Sequence, residues 1–316
     1  MPVTPHSPGR PHTALITGAS GYIGNHVAAE FLAKGYNVHV LTRPTSNIRS
    51  LNTTRITPTT PVTRIAPTTS ITRHDIDGSY ASILNTFEQA KPDIVLHLAS
   101  MIEARHTPET IAPMIDANIT FGAHLLEAMT RTNCTRLINT GSYWQFDTAG
   151  NYCPNTLYAA TKQAFSDLIP CYCKSQGLRA ITLILFDVYG PNDWRGKLLS
   201  ALVRAVTLHT PIPLSPGEQL VDMVYVSDVA AGYLQACDLL NPARPSHQVF
   251  SLDSGTHTSL RELVDALEAQ LGKPIPVEWG AQPYPPHQIM VPTNRLRRLP
   301  GWECKVPLEV GLAMLI

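Results

Sequence analysis

Short apolar runs alternate with stretches of helical spacing through the first two thirds of the chain. Ala14-Leu15-Ile16, Val38-His39-Val40-Leu41, Asp93 to Ser100, Arg136 to Thr140 and Ala180 to Phe186 each carry a run bounded by polar or glycine-containing sequence. Between the first two, Val27, Phe31 and Leu32 recur at three- and four-residue spacing, which predicts a helix to about Lys34 with Gly35 as its stop. Further helices are predicted from about Tyr80 to Ala90, from about Ala112 to Arg131, and behind a cap at Asn155-Thr156, where Pro170 should kink or end the last one. Runs that are apolar on both faces, alternating with helices, predict a doubly wound α/β fold on a parallel sheet. In such a sheet ligands sit beyond the carboxyl ends of the strands.

Two stretches break this rhythm. Met1 to Pro11 is proline-rich and reads as a loose tail. Pro44 to Arg73 repeats Thr, Pro and Arg, and its prolines disfavour a helix, so short β pieces or a mobile surface excursion are expected. Order returns at His74-Asp75-Ile76, where Asp75 would end a third strand and either cap the following helix or lie near an adenine ring.

The turn Thr17-Gly18-Ala19-Ser20-Gly21-Tyr22-Ile23-Gly24 joins the first strand to the first helix. Its GxxGxxG spacing departs from GxGxxG, and by itself it is either an ordinary βα turn or a phosphate-binding one. Glycines there let a pyrophosphate approach the backbone N–H groups of the helix N-terminus. The second strand ends at Thr42-Arg43. A carboxylate at that point would read the free 2′-hydroxyl of NAD, whereas a basic residue accommodates the 2′-phosphate of NADP, so Arg43 favours NADP(H) over NAD(H). Ala99 and Ser100, at the end of a buried strand, leave room for a cofactor.

Gly141-Ser142-Tyr143-Trp144 leaves the fifth predicted strand, which puts the Ser142 hydroxyl at the ligand-binding edge. Tyr158 and Lys162 are four apart and share a helix face. An ammonium beside a phenol stabilises the phenolate, so this pair can exchange a proton with a carbonyl or alcohol oxygen.

Taken together with Asn118, Tyr189-Gly190-Pro191, Val224-Tyr225-Val226, Asp228 and Gly301-Trp302, these pieces resemble the extended short-chain dehydrogenase/reductases of the nucleotide-sugar epimerase and dehydratase family. The resemblance spans nearly the whole chain. It implies that Tyr158 is the catalytic acid/base, that Ser142 hydrogen-bonds the reacting oxygen, and that Lys162 holds the nicotinamide ribose while lowering the tyrosine pKa. It implies cofactor contacts from Gly18, Ser20, Gly21, Tyr22, Ile23 and Gly24, from Thr42, Arg43, Asp75 and Ile76, and from Leu98, Ala99, Ser100, Asn118 and Val188. It also implies a discontinuous Rossmann domain, residues 11–191 and 222–254, with a substrate domain over 192–221 and 255–316 whose segment Pro274 to Pro292 walls the sugar pocket. The helices near 112–131 and 156–169 resemble those that pair in family dimers, so a homodimer is expected.

Departures from the family pattern narrow the chemistry. Family dehydratases follow the active-site Ser or Thr with an Asp-Glu pair, where this chain has Tyr143 and Trp144. Elimination of water therefore lacks its acid and base, and hydride transfer at a carbonyl remains. Asp187 replaces the usual Asn before Tyr-Gly-Pro, and Val221 replaces the Arg before Asp222, so the diphosphate contacts fall to candidates such as Arg195 and Lys197. These features resemble the branch of 4-ketoreductases of deoxysugar pathways. They imply NADPH-dependent reduction of a dTDP- or CDP-linked 4-keto-6-deoxyhexose. A 4-epimerase and a non-catalytic NADP-sensing protein are the alternatives.

Composition agrees with this reading and removes others. At 316 residues and 44% hydrophobic content the chain can bury a full core. Lys plus Arg equals Asp plus Glu at 24 each, which argues against nucleic acid as a partner. Six cysteines lack metal-ligand spacing, so no metal is expected. No apolar run approaches the roughly 20 residues of a membrane span, and a cytoplasmic protein that does not engage a membrane is expected.

Overall fold

A computed structural model describes residues 12–47, 53–56, 71–240 and 246–316. The tail to Pro11 and residues 48–52 and 57–70 of the Thr/Pro-rich segment lie outside the described residues. In chain order the first half contains β1 (Thr13–Thr17), α1 (Tyr22–Ala33), β2 (Asn37–Thr42), β3 (Thr53–Ile56), β4 (Ile71–Asp75), α2 (Tyr80–Ala90), β5 (Ile94–His97), α3 (Pro108–Ile115), a π-helical turn over Asp116–Thr120, α4 (Phe121–Arg131) and β6 (Arg136–Ser142). Then follow α5 (Leu157–Gln176), β7 (Arg179–Leu185), β8 (Asp187–Tyr189), α6 (Leu198–Leu208), β9 (Ile212–Leu214), β10 (Leu220–Val221), β11 (Met223–Tyr225), α7 (Val226–Leu239), β12 (His247–Leu252), β13 (Thr258–Ser259), α8 (Leu260–Leu271), β14 (Val277–Trp279) and α9 (Leu308–Ala313).

Eight strands form one sheet in the order β12-β7-β6-β5-β1-β2-β4-β3, and every pairing in it is parallel. The doubly wound α/β fold read from the sequence is the fold observed. The order reverses about β1 and β5, which opens the ligand crevice above their carboxyl ends. Alternation along the strands separates two buried layers. Ala14, Ile16, Leu96, Ile138 and Leu183 face α1 and α7 through Phe31 and Val229, whereas Leu15, Val95, Leu137 and Ala180 face α2, α4 and α5 through Phe87, Leu125 and Phe165. Each such fully buried large side chain contributes roughly 1.5–3 kcal/mol by leaving water.

A third apolar cluster lies apart from the sheet. Leu199 and Leu202 of α6 meet Leu260, Leu263 and Leu267 of α8 and Leu312 of α9, with Tyr189 and Tyr225 at the junction. The short parallel pair β8 and β11 carries the chain between the sheet and this cluster. Asp228 secures the return: its carboxylate accepts the Lys305 and Val306 N–H groups, each at 2.8 Å, and its carbonyl accepts the Trp302 indole N–H at 2.8 Å.

Three local expectations are corrected. The helix expected from Ala112 begins at Pro108 and passes through a π turn at Asn118, because Pro108 fits a first helical turn and the Asn118 side chain bonds outside the helix. Pro170 does not end α5, which continues to Gln176; the proline lies on the exposed face. The strand ending at Asp75 is the fourth in sequence, beginning at Ile71, because a short β piece, Thr53–Ile56, pairs alongside it at the sheet edge.

Candidate active site

The glycine turn explains its own composition. Gly18 has φ +77°, and a Cβ there would lie 2.6 Å from the Ala99 nitrogen, so only glycine lets β1 turn this close to the end of β5. A Cβ on Gly24 would collide with the Gly18 carbonyl, so α1 can start this tightly only with glycine in its first turn. Gly21 is the N-cap of α1 and supplies no side-chain cap, which leaves the first N–H groups of the helix to face the crevice. This cradle fits a dinucleotide diphosphate. The Tyr22 ring turns the other way, burying itself against Trp194 and under the Arg195 guanidinium, with its hydroxyl donating to the Pro191 carbonyl at 3.1 Å. Tyr22 thus faces the crevice through its backbone, not its phenol.

At the end of β2, Arg43 is exposed and Thr42 is buried, its hydroxyl donating to Asp75 at 3.2 Å. Asp75 is ion-paired with Arg73 at 2.8 Å, and the same guanidinium donates to the carbonyls of Arg43 and Pro44, each at 3.1 Å. Arg73 therefore pins the turn that presents Arg43 and neutralises the nearest carboxylate. Sequence reading passed over Arg73 because it sits in the repeat-rich segment.

A polar row underlies the candidate centre. Thr17, His97, Asn139 and Thr182 are register partners across β1, β5, β6 and β7, two residues nearer the carboxyl edge than apolar Leu15, Val95, Leu137 and Ala180. Over this row lies α5. Thr156 caps it by accepting the Ala159 N–H at 3.1 Å, so Tyr158 and Lys162 both project from its buried face. The Tyr158 hydroxyl is in hydrogen-bond reach of the hydroxyls of Ser142 and Ser100, and its ring meets Trp144 edge-on at 6.0 Å. The three residues expected to carry the chemistry are thereby brought to one strand edge.

The electrostatics correct one expectation. Tyr158 is not held low by Lys162. Burial pushes its phenol up to about 12, outweighing the two serine hydroxyls. Burial also draws the Lys162 ammonium down to about 8 and His97 down to about 3, the latter aided by the nearby Lys162 charge. At neutral pH the centre holds a protonated phenol, a neutral imidazole accepting or donating to Thr17 at 2.8 Å, and a lysine close to losing its proton.

Several neighbours position these groups. Asn118, buried in the π turn, accepts from Ser100 at 3.0 Å and from the Met101 N–H at 2.7 Å, and donates to the Met101 carbonyl and to Thr161 at 2.9 Å. It ties the loop after β5 to α5, so its amide is directed to protein partners. Gln145 was missed in the sequence, although Ser142-x-x-Gln145 is a capping-box spacing. Its carbonyl oxygen accepts the Ser142 N–H at 2.8 Å and its amide donates to Gln163 of α5 at 2.7 Å. Ile23 lies in the first turn of α1, Ile76 follows β4, and Leu98 and Ala99 border the glycine turn, with Ala99 N–H donating to Thr17 at 3.1 Å.

The substrate-side candidates are dispersed. Tyr143 stacks on Phe186 with ring centroids 5.0 Å apart, and its hydroxyl donates to Asp187 at 3.0 Å. Burial raises the Asp187 pKa, opposed by that hydroxyl and by the Lys197 and Arg195 charges. Arg195 is engaged by Asp193 in a bidentate pair and by the Val188 carbonyl at 2.8 Å. Lys197 is the exposed N-cap residue of α6. No group of His, Cys, Asp and Glu among the described residues could hold a metal.

The model of the NAD dependent epimerase/dehydratase family matches residues 14–250. Similar curated proteins include a CDP-abequose synthase of Yersinia pseudotuberculosis, 26% identical over 90% of this chain and 93% of that one, and another of Salmonella muenchen, 24% identical over 96% of each. A UDP-glucose-4-epimerase from Stenotrophomonas maltophila, solved with bound NAD and formylated UDP-arabinopyranose, superposes with a TM-score of 0.81 at 20% identity over 96% of both chains. A UDP-glucose 4-epimerase from Thermotoga maritima, solved with UDP-glucose, gives 0.78 at 21% over the same shares. This chain belongs to the NAD dependent epimerase/dehydratase family, enzymes with a Rossmann-like fold that act on nucleotide sugars.

Proposed function

We propose that this enzyme reduces the C4 ketone of a nucleotide-linked 4-keto-6-deoxyhexose, using NADPH, in the cytoplasm. The observation that carries the proposal is the Tyr158 phenol, buried, protonated and within reach of the hydroxyls of Ser142 and Ser100. Reduction of a ketone needs an acid to protonate the oxygen as it gains charge, and this centre presents one. Bound NADPH would supply hydride to the carbonyl carbon. Ser142 donates a hydrogen bond to the carbonyl oxygen and Tyr158 delivers its proton to that oxygen, while Lys162, from the same helix face, would hold the nicotinamide ribose. Gly18, Gly21 and Gly24 cradle the diphosphate, and Arg43, held by Arg73, meets the 2′-phosphate. Tyr143 and Trp144 fill the place of the dehydratase carboxylates with aromatic rings, and the CDP-abequose synthases among the relatives favour the same substrate class. The cluster of α6, α8 and α9 would form the substrate domain over 192–221 and 255–316. Exposed Ile111 and Ile115 on α3, near α5, support pairing of two copies.

Isotope transfer tests the reading. With NADPH deuterated at the nicotinamide C4 and dTDP- or CDP-4-keto-6-deoxyglucose as acceptor, mass spectrometry should find deuterium at sugar C4. A product without deuterium, or NADH outperforming NADPH, contradicts the respective half of the proposal.

A further inference from the structure

A cavity of about 440 Å³ opens on the flank of α5, between that helix, β7, the edge strand β12 and the segment around 295–297. None of its lining residues comes from β1, α1 or β5. Phe146 and Tyr152 give it flat apolar walls, with Phe250 buried behind them, and Asp167 also lines it, its carboxylate accepting the Gln163 amide at 2.7 Å. Arg295 and Arg297 stand over it, and among the described residues neither guanidinium has a carboxylate partner, whereas neighbouring Arg298 is paired with Asp253 at 2.6 Å. The Arg297 guanidinium lies 5.1 Å from the centre of the Phe250 ring. Cations over an aromatic floor are the chemistry of an anion-binding pocket for a molecule with a flat apolar body.

The polar part of the lining leads directly to the catalytic residues. Gln145 and Gln163 both border the cavity, and they are the two links that fix the Ser142 N–H to α5. Ser166 and Thr182 border it as well. Ser166 donates to the Lys162 carbonyl at 3.0 Å, and Asn139 beneath them donates to Ser166 at 3.4 Å and to Thr182 at 3.2 Å. Thr182 is in turn 3.0 Å from His247 at the cavity rim. Asn139 is fully buried with its carbonyl oxygen lacking a hydrogen-bond partner, a group that a rearranged lining could satisfy.

We propose that this cavity is an effector site for a small organic anion with an apolar body, a phosphate or carboxylate, whose binding shifts Ser142 and Lys162 through Gln145–Gln163 and Ser166. Its anionic head meets Arg295 and Arg297, away from Asp167, while its body lies against Phe146 and Tyr152. The effect on turnover rests on the ketoreductase reading, but occupancy does not.

The test uses phenyl phosphate as the probe on the full chain. Calorimetry should show saturable binding at one site, weakened at least about tenfold, or about 1.4 kcal/mol, in the Arg295→Gln/Arg297→Gln double variant. Val249→Trp, which fills the cavity from β12, should also abolish it, and Tyr158→Phe should leave it unchanged. In turnover, the probe should change kcat with KM for the sugar nucleotide unaltered, and the double variant should keep basal kcat while losing the response. Equal binding by the double variant, no saturation, competition with the sugar nucleotide, or binding with no change in kcat would each overturn the proposal. If turnover of 4-keto sugars is absent altogether, the calorimetric arm still decides the site and the ketoreductase reading fails separately.

Discussion

The strand edge around Ser142, Tyr158 and Lys162 and the junction around Asp187, Arg195 and Asp222 lie on neighbouring parts of the molecule, yet they are built differently. At the first, each reactive side chain is placed by a local device: a capped helix for Tyr158 and Lys162 and a capped turn for Ser142. At the second, Arg195 is held locally by Asp193, but the two carboxylates are placed by tertiary pairing. Asp187 meets Tyr143 across 44 residues, and buried Asp222 accepts the Ser254 N–H at 2.8 Å from across 32, while burial lifts its carboxyl to about 6. Spacing along the chain fixes the first region, and the carboxylates of the second rest on contacts that sequence spacing does not reveal.

The largest expected effect breaks the first region. Tyr158→Phe removes the proton donor and should lower kcat by roughly 10²–10⁴-fold with the NADPH Kd unchanged, checked by steady-state kinetics beside fluorescence titration.

Lys162 sharpens the same region through stability. Its folded-state pKa of about 8 lies below its unfolded value, so between these the unfolded chain binds more protons and stability rises with pH. Below pH 8 the buried ammonium costs on the order of 3 kcal/mol. Lys162→Met should therefore unfold at higher denaturant concentration than the wild type at pH 7, and the gap should close as pH rises from 8 toward 10. A gap that widens over that range would contradict the burial argument.

Gly24→Ala places a methyl against the Gly18 carbonyl. It should lower stability by about 1–3 kcal/mol and weaken cofactor binding in parallel, as read by thermal unfolding with and without NADPH. Arg43→Ala should raise the NADPH Kd roughly tenfold while leaving that for NADH unchanged, the low end of what a charge-assisted hydrogen bond contributes. The second region should show the smallest response. Asp187→Asn keeps an acceptor for the Tyr143 hydroxyl, so kcat should change by no more than about threefold; a larger loss would make the carboxyl itself part of the chemistry.

Much of this organisation was legible in the sequence because it repeats at short range. The βα alternation gave the sheet, Thr156 gave the start of α5, and four-residue spacing put Tyr158 and Lys162 on one face. Less legible was whatever depends on strand order. The polar row from Thr17 to Thr182 exists only because β1, β5, β6 and β7 are neighbours, and His97 and Asn139 look like isolated polar residues until that register is known. Arg73 escaped notice for a related reason: two of its partners, the carbonyls of Arg43 and Pro44, lie past the end of the adjacent strand. The tyrosine pKa was misjudged because a shared helix face reports proximity to lysine and says nothing of burial.

The most direct test of the central claim is the absorbance of reduced nicotinamide with the purified protein, NADPH and dTDP- or CDP-4-keto-6-deoxyglucose. The account predicts one NADPH oxidised for each 4-hydroxy sugar formed. No net oxidation, with a 4-hydroxy sugar nucleotide instead converted to its C4 epimer, would contradict it and make the enzyme an epimerase.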